Sequence, residues 1–211
     1  MNSIGRMTFG KSELWDRIYE NDQIKKPWLY NEIPVRLLNE FCDYIVPSKD
    51  AFLLDYGCGN GRHLPYFKAN GVSNLVGVDI SNKALELCNL ESVVLVNSES
   101  PTIFDSNYFD AIFCWGVIHH IPKLFWRDII EQFKRILKED GVLLIGGHSV
   151  KDAAFIGGER LSPFTNEKTF AINGDLSAIV KDYFEIIRDG FFDFTEAYTA
   201  EPKCFKYYLL K

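Results

Sequence analysis

Short, uninterrupted apolar runs recur along the chain: AFLLDY (51–56), LVGVDI (75–80), SVVLVN (92–97), FDAIFCWG (109–116) and GVLLIGG (141–147). Runs that do not alternate with polar residues suit strands covered on both faces, the habit of a parallel sheet. Helical periods lie between them. Ser81 is a cap for a helix with Ala84, Leu85, Leu87 and Cys88 on its apolar face, closing near Leu90. After Pro122, residues Ile129, Ile130, Phe133, Ile136 and Leu137 fall on one helical face. Lys134, Arg135 and Lys138 then suit its last turns, with Gly141 as its stop.

Strand and helix in alternation predict a doubly wound α/β sheet. Ahead of it, Ser12–Glu20 and Ile33–Ile45 read as amphipathic helices joined by the loop IKKPWLY. At the other end, YFEIIRDGFFDF and KCFKYYLLK read as strands, antiparallel across the turn-forming TEAYTAEP. Residues 148–175, rich in Gly, Ser, Thr and Asn, form a long connection of the kind used as a binding loop or lid. No linker divides the chain, so residues 1–211 are expected to form one domain, with 1–48 as a helical cover and 49–211 as the core.

Composition is that of a globular protein, 47% hydrophobic and 25% charged, which excludes disordered, collagenous and coiled-coil classes. The net charge of −6 gives no whole-body attraction for phosphate and argues against a nucleic-acid partner. No signal-like or membrane-length apolar stretch is present, which predicts a cytoplasmic protein without membrane contact. The cysteines Cys42, Cys58, Cys88, Cys114 and Cys204 include no CxxC pair, so they are expected as buried thiols, and no metal site is expected.

The sharpest feature is LLDYGCGNGRHLPYF. A strand ends at Asp55–Tyr56, and Gly57, Gly59 and Gly61 let the backbone turn tightly and approach a ligand closely. The helix that follows offers unpaired N–H groups, and Pro65 is tolerated in its first turn. Asp79 ends the next strand, where a carboxylate can accept hydrogen bonds from both ribose hydroxyls or else cap the following helix. A dinucleotide fingerprint would need glycine at the place of Arg62. The spacing here is D-x-G-x-G-x-G at 55–61.

With that motif, the V-D-I-S step at 78–81, F-D-A-I at 109–112 with His119–His120 after it, and the block FKRILKEDGVLLI, the chain resembles the class I S-adenosylmethionine-dependent methyltransferases from about Phe52 to Lys211. The resemblance implies a Rossmann-like sheet of seven strands in the order 3-2-1-4-5-7-6, with the seventh antiparallel, and S-adenosyl-L-methionine as cofactor. It implies that Asp55, Gly57 and Gly59 face the methionine moiety, that Cys58 between them also meets the cofactor, that Asp79 holds the ribose and that Ile80 packs on the adenine. Ser98 or Glu99 stands where many members read the adenine edge with an Asp-Ala step. Cys114 and Trp115 would lie beside the sulfonium.

The cofactor carries the reactive carbon, so the protein must position a nucleophile and, where needed, take its proton. Histidine titrates in the useful range, which makes His119, His120 and His148 candidate bases. Neighbours leaving a strand point to opposite sides, so one of His119 and His120 is expected to face the acceptor, with His120 favoured. The DPPY or NPPY step of base amino-group methylation is absent, as are a Pro-Cys nucleophile and acids for metal-assisted catechol-type transfer in WGVIHHI. Aromatic residues of the first segment (Trp15, Tyr19, Trp28, Tyr30), of the 148–175 connection (Phe155, Phe164, Phe170) and of the C-terminal strands suit a small organic acceptor, methylated on O, N or S. The alternatives are an RNA or protein methyltransferase and a non-catalytic adenosyl-binding regulator.

Overall fold

A computed structural model of the chain describes residues 11–29 and 35–211. Its centre is a seven-stranded sheet of β1 (Phe52–Tyr56), β2 (Asn74–Asp79), β3 (Val94–Asn97), β4 (Phe109–Trp115), β5 (Leu137–His148), β8 (Ile186–Thr195) and β9 (Pro202–Leu210), in the order β3-β2-β1-β4-β5-β9-β8. The strands β3 to β5 pair in parallel. β9 runs antiparallel to both β5 and β8. This is the expected order, with β9 as the antiparallel strand; the numbers shift because the chain inserts a separate hairpin, β6 (Glu159–Leu161) and β7 (Lys168–Phe170). That hairpin lies within the 148–175 connection, which is therefore partly regular.

The uninterrupted apolar strands are covered on both sides. One face packs Leu54, Ile112, Leu143 and Ile145 against Ile129, Phe133 and Ile136 of α6 (Trp126–Ile136) and against α7 (Gly174–Val180). The other packs Leu53, Ala111, Phe113 and Leu144 against Phe67 of α4 (Leu64–Ala69) and against Leu37, Leu38 and Ile45 of the N-terminal helices α2 (Val35–Glu40) and α3 (Cys42–Ile45). Burying a Leu, Ile or Phe side chain is worth about 1.5–3 kcal/mol, so these layers dominate the fold's stability.

Several boundaries differ from those expected. The helix predicted over Ile33–Ile45 is broken at Phe41 into α2 and α3, while Tyr30 and Ile33 lie outside the described residues. The helix capped by Ser81 closes early: α5 is Asn82–Glu86, because Leu87 is exposed at its end and adds nothing to a buried face. Gly141 does not stop α6. The helix ends at Ile136, and Leu137 already pairs with Phe109 as the start of β5. Residues 138–141 bulge before pairing resumes at Ala111 and Val142, and Lys138 reaches Asp110 at 2.7 Å.

The first helix, α1 (Ser12–Glu20), docks on the end of β2 through polar contacts. Asp16 accepts from the Ser81 hydroxyl (2.7 Å) and the Lys83 amide (3.0 Å), and the Ser12 hydroxyl donates to the Ile80 carbonyl (2.9 Å). Among the described residues no helix is long and apolar enough to cross a membrane.

Candidate functional site

A cavity of about 520 Å³ opens at the carboxyl ends of β1, β2, β4 and β5, where open α/β sheets bind ligands. Its floor is the glycine turn. Gly57 and Cys58 both donate to the Val78 carbonyl, at 2.7 and 2.9 Å, and Gly57, Gly59 and Gly61 adopt φ of +76°, +57° and +77°. A Cβ on Gly57 would fall 2.2 Å from Val117, and one on Gly59 2.8 Å from the Tyr19 hydroxyl, so the turn is tied to the cavity walls. Asp79 joins the two strand ends: Oδ2 accepts from the Gly59 amide and Oδ1 from the Ser81 amide, each at 2.8 Å. The helix cap is Ser81, whose hydroxyl accepts from Ala84. Burial, opposed by these amides, pushes the Asp79 carboxyl up to about 6.

Of the residues expected around an adenosyl ligand, Gly57, Cys58, Gly59, Asp79, Ile80, Ser98, Glu99 and Trp115 line this cavity. Asp55 and Cys114 do not. Alternation along β1 turns Tyr56 toward the cavity and Asp55 away from it, onto His63, whose Nδ1 stands 3.7 Å from Asp55 Oδ2. That oxygen and both nitrogens of His63 are buried without hydrogen-bond partners. Cys114 is fully buried in the core, and burial raises its thiol pKa. The Ser98 hydroxyl is engaged with Ser100 in its own turn. The Tyr56 hydroxyl donates to the Glu99 carbonyl at 2.7 Å and so fixes that corner.

The histidines meet on the opposite wall. His119 and His120 belong to a 3₁₀ turn, Ile118–His120, rather than to an extended exit from β4, and both line the cavity, so strand alternation does not separate them. The turn is pinned by the buried Trp126 indole, which donates to the carbonyls of Ile118 (3.1 Å) and Ile121 (2.8 Å). Glycine at 147 makes room for His119, since a Cβ there would stand 2.9 Å from its Nδ1. Ring centroids lie 4.2 Å apart for His119 and His120 and 4.6 Å for His119 and His148. His148 Nδ1 is 2.9 Å from Asp152 Oδ2, and its ring stacks on Phe155 at 4.4 Å.

Burial lowers the pKa of all three rings. His120, also beside His148 and Lys11, falls to about 3. Burial pushes the Asp152 carboxyl up, but the bonds from His148 and the Ala154 amide outweigh it and hold it below the usual range. An ionised Asp152 keeps the proton of neutral His148 on Nδ1 and leaves Nε2 as the acceptor. Asp152 was missed in the sequence; the signal was its spacing of four from His148 across a turn. Among the described residues no set of three or more His, Cys, Asp or Glu is arranged to hold a metal.

The roof is aromatic. Trp15 meets His120 edge-on at 5.0 Å, and the Trp28 indole donates to Tyr19 and meets Phe164, at the tip of the β6–β7 hairpin, at 4.8 Å. Lys11 pairs with Glu167 of the same hairpin. The N-terminal segment and the inserted hairpin thus close over the cavity together.

Residues 54–145 match the family described as "Methyltransferase domain". The "tRNA U34 carboxymethyltransferase" of Tolumonas auensis is 31% identical over 112 residues, covering 48% of this chain and 33% of that protein. The match therefore spans about a third of the tRNA-modifying relatives. The "Ubiquinone biosynthesis O-methyltransferase" of Glaesserella parasuis is 28% identical over 159 residues, covering 69% of this chain and 65% of that protein. A SAM-dependent methyltransferase structure from Anabaena variabilis superposes with a TM-score of 0.72 at 15% identity, over 100% of this chain and 98% of its own. One from Archaeoglobus fulgidus gives 0.68 at 15%, over 94% and 99%. At such identities the structures show a common fold. The relatives' printed activities leave the acceptor class open, and the expectation that a nucleic-acid partner is unlikely finds no support in them. The matched methyltransferase domain over residues 54–145, the strand order and the superposed structures together give the chain the class I, Rossmann-like methyltransferase fold.

Proposed function

We propose that the protein transfers a methyl group from S-adenosylmethionine to an O, N or S atom of a small, aromatic-compatible molecule. The observation that carries this reading is the meeting of the glycine turn and Asp79 with the His148–Asp152 pair in one covered cavity. The cradle suits the cofactor: its glycines let the backbone turn tightly beneath Val117 and Tyr19 at the cavity floor, and Asp79 offers two carboxylate oxygens at a strand end. When bound, the cofactor supplies an electrophilic methyl on a sulfonium. Asp79 holds the ribose hydroxyls, while Gly57 and Gly59 shape the backbone beneath the amino-acid portion. The cover excludes water, and the aromatic walls hold the acceptor by apolar contact.

His148 takes the acceptor's proton at Nε2, and Asp152 keeps the ring in that tautomer and stabilises the imidazolium that forms. His119 and His120, held neutral, sit beside it without adding positive charge against the sulfonium. An acceptor that is already anionic would need only the positioning. A small acceptor is favoured over RNA because the wall mixes both signs, Lys11, Lys25, Arg62, Arg160 and Lys203 with Asp79, Glu99, Glu196 and Glu201, rather than forming a basic track for a phosphate backbone. The test is incubation with methyl-labelled S-adenosylmethionine and a fractionated cell extract. Label should enter the organic-soluble small-molecule fraction and disappear in His148→Ala; label confined to RNA or protein would overturn the small-molecule reading.

A further inference from the structure

The β6–β7 hairpin brings a cation to the acceptor end of the cavity. Arg160 lies on β6 and lines the wall, and its guanidinium stands 5.6 Å from the centroid of Phe155, the ring on which His148 stacks. Its backbone is fixed by pairing with Thr169, whose hydroxyl donates to the Arg160 carbonyl at 3.3 Å. Its Nε donates to the neighbouring Leu161 carbonyl, and among the described residues no carboxylate lies within ion-pair distance of the guanidinium. The neighbouring acids are already used. Glu159, next in sequence, pairs with Lys168 at 2.6 Å, Glu201 pairs with Lys203 at 2.9 Å, and Asp152 is held by His148.

Lys203, almost fully buried on β9, also faces the cavity. Both cations act on one spot: each helps to hold down the pKa of His148, after burial, and each lowers that of Glu201. An arginine on a cavity wall, lying over an aromatic ring and with no carboxylate in ion-pair contact among the described residues, has the Nη side of its planar fork available for a bidentate partner. The aromatic rings of the same cavity, Phe155, Phe194 and Phe205, the last two edge-to-face, give the rest of such a partner apolar walls.

We propose that Arg160 binds a carboxylate on the methyl acceptor, so that the acceptor class is a planar aromatic acid whose ring lies among Phe155, Phe194 and Phe205. This inference rests on the small-molecule reading above. The carboxylate could instead be the one on the cofactor's amino-acid portion, and the experiment separates the two sources. Probes matched in shape, 2-naphthoate and 2-naphthamide, are titrated by calorimetry into the full chain saturated with S-adenosylhomocysteine. The wild-type protein should bind the acid at least tenfold more tightly than the amide, a difference of about 1.4 kcal/mol or more. Arg160→Gln should bind the two alike, and Arg160→Lys should keep part of the preference. The affinity for S-adenosylhomocysteine alone should be the same in all three proteins.

Equal binding of acid and amide by the wild type, binding of neither, or an acid preference that survives in Arg160→Gln would each overturn the assignment. A fall in S-adenosylhomocysteine affinity in Arg160→Gln would move the carboxylate to the cofactor and overturn it as well. If S-adenosylhomocysteine fails to bind the wild type at all, the methyltransferase reading itself fails, an outcome distinct from these.

Discussion

Asp79→Asn isolates the carboxylate that joins the glycine turn to the second strand. In the folded protein this group holds two amides at 2.8 Å, yet its pKa is raised from 3.8 to about 6, so burial outweighs the amides. At about 1.4 kcal/mol per pKa unit, keeping the charge costs the ligand-free fold up to ~3 kcal/mol. The sign follows from proton binding. The folded state holds the proton more tightly than the unfolded one, so this group's contribution falls as pH rises from about 4 to 6. Asparagine removes the charge penalty but offers one oxygen to two amides, and leaving one amide unpaired costs about 1–3 kcal/mol. The two terms nearly cancel, so stability should change little. Binding should change a great deal, because charged hydrogen bonds to the ribose, worth about 1.5–3 kcal/mol, are weakened. Calorimetry with S-adenosylhomocysteine should show affinity some tenfold to a hundredfold lower at pH 7.5. Wild-type affinity should drop as pH falls through about 6, and the variant's should be flat there. A folded variant that binds like wild type, or a wild-type affinity that stays level down to pH 5, would refute the assignment of the ribose to Asp79.

Asp152→Asn should leave S-adenosylhomocysteine binding unchanged while lowering turnover by about 10²-fold or more, because the Asn amide no longer selects the productive tautomer of His148; the kcat–pH profile checks this. Trp126→Phe deletes the donor to the Ile118 and Ile121 carbonyls and should cost about 1–3 kcal/mol in urea unfolding while loosening the histidine turn. The buried neutral histidines add an acid-side liability. Their pKa values are depressed, so the unfolded chain takes up protons below about pH 6.5 and stability falls as pH drops, by up to ~1.4 kcal/mol per pH unit for each ring. Urea titrations at pH 7 and 5 should show that loss, and His120→Gln should reduce it.

Much of this architecture is written in local sequence. The apolar runs mark β1 to β5 because strands buried on both faces have no reason to alternate, and GCGNG marks the turn because positive φ at Gly57, Gly59 and Gly61 needs glycine. The end of α6 is not legible because Leu137 is apolar at a helical spacing although it serves the strand, a choice made by pairing with Phe109. Motif position points Asp55 at the cavity, whereas alternation along β1 turns it toward His63. Asp152, Trp126 and Arg160 were not legible. Each acts through a contact with a partner that only the fold supplies: the His148 ring, the carbonyls of a 3₁₀ turn and the Phe155 face. The hairpin that bears Arg160 is made of short strands within a polar connection, where periodicity carries no signal.

The central claim is that one cavity holds the adenosyl cofactor against Asp79 and places the acceptor between the transferred methyl and the His148–Asp152 pair. A crystal structure of the protein with S-adenosylhomocysteine tests it directly. The account predicts ribose hydroxyls within hydrogen-bond distance of Asp79, the amino-acid portion over Gly57–Gly59, and the sulfur on the side that opens toward His148. An adenosyl ligand bound elsewhere, or one whose sulfur faces away from the histidines, would contradict it.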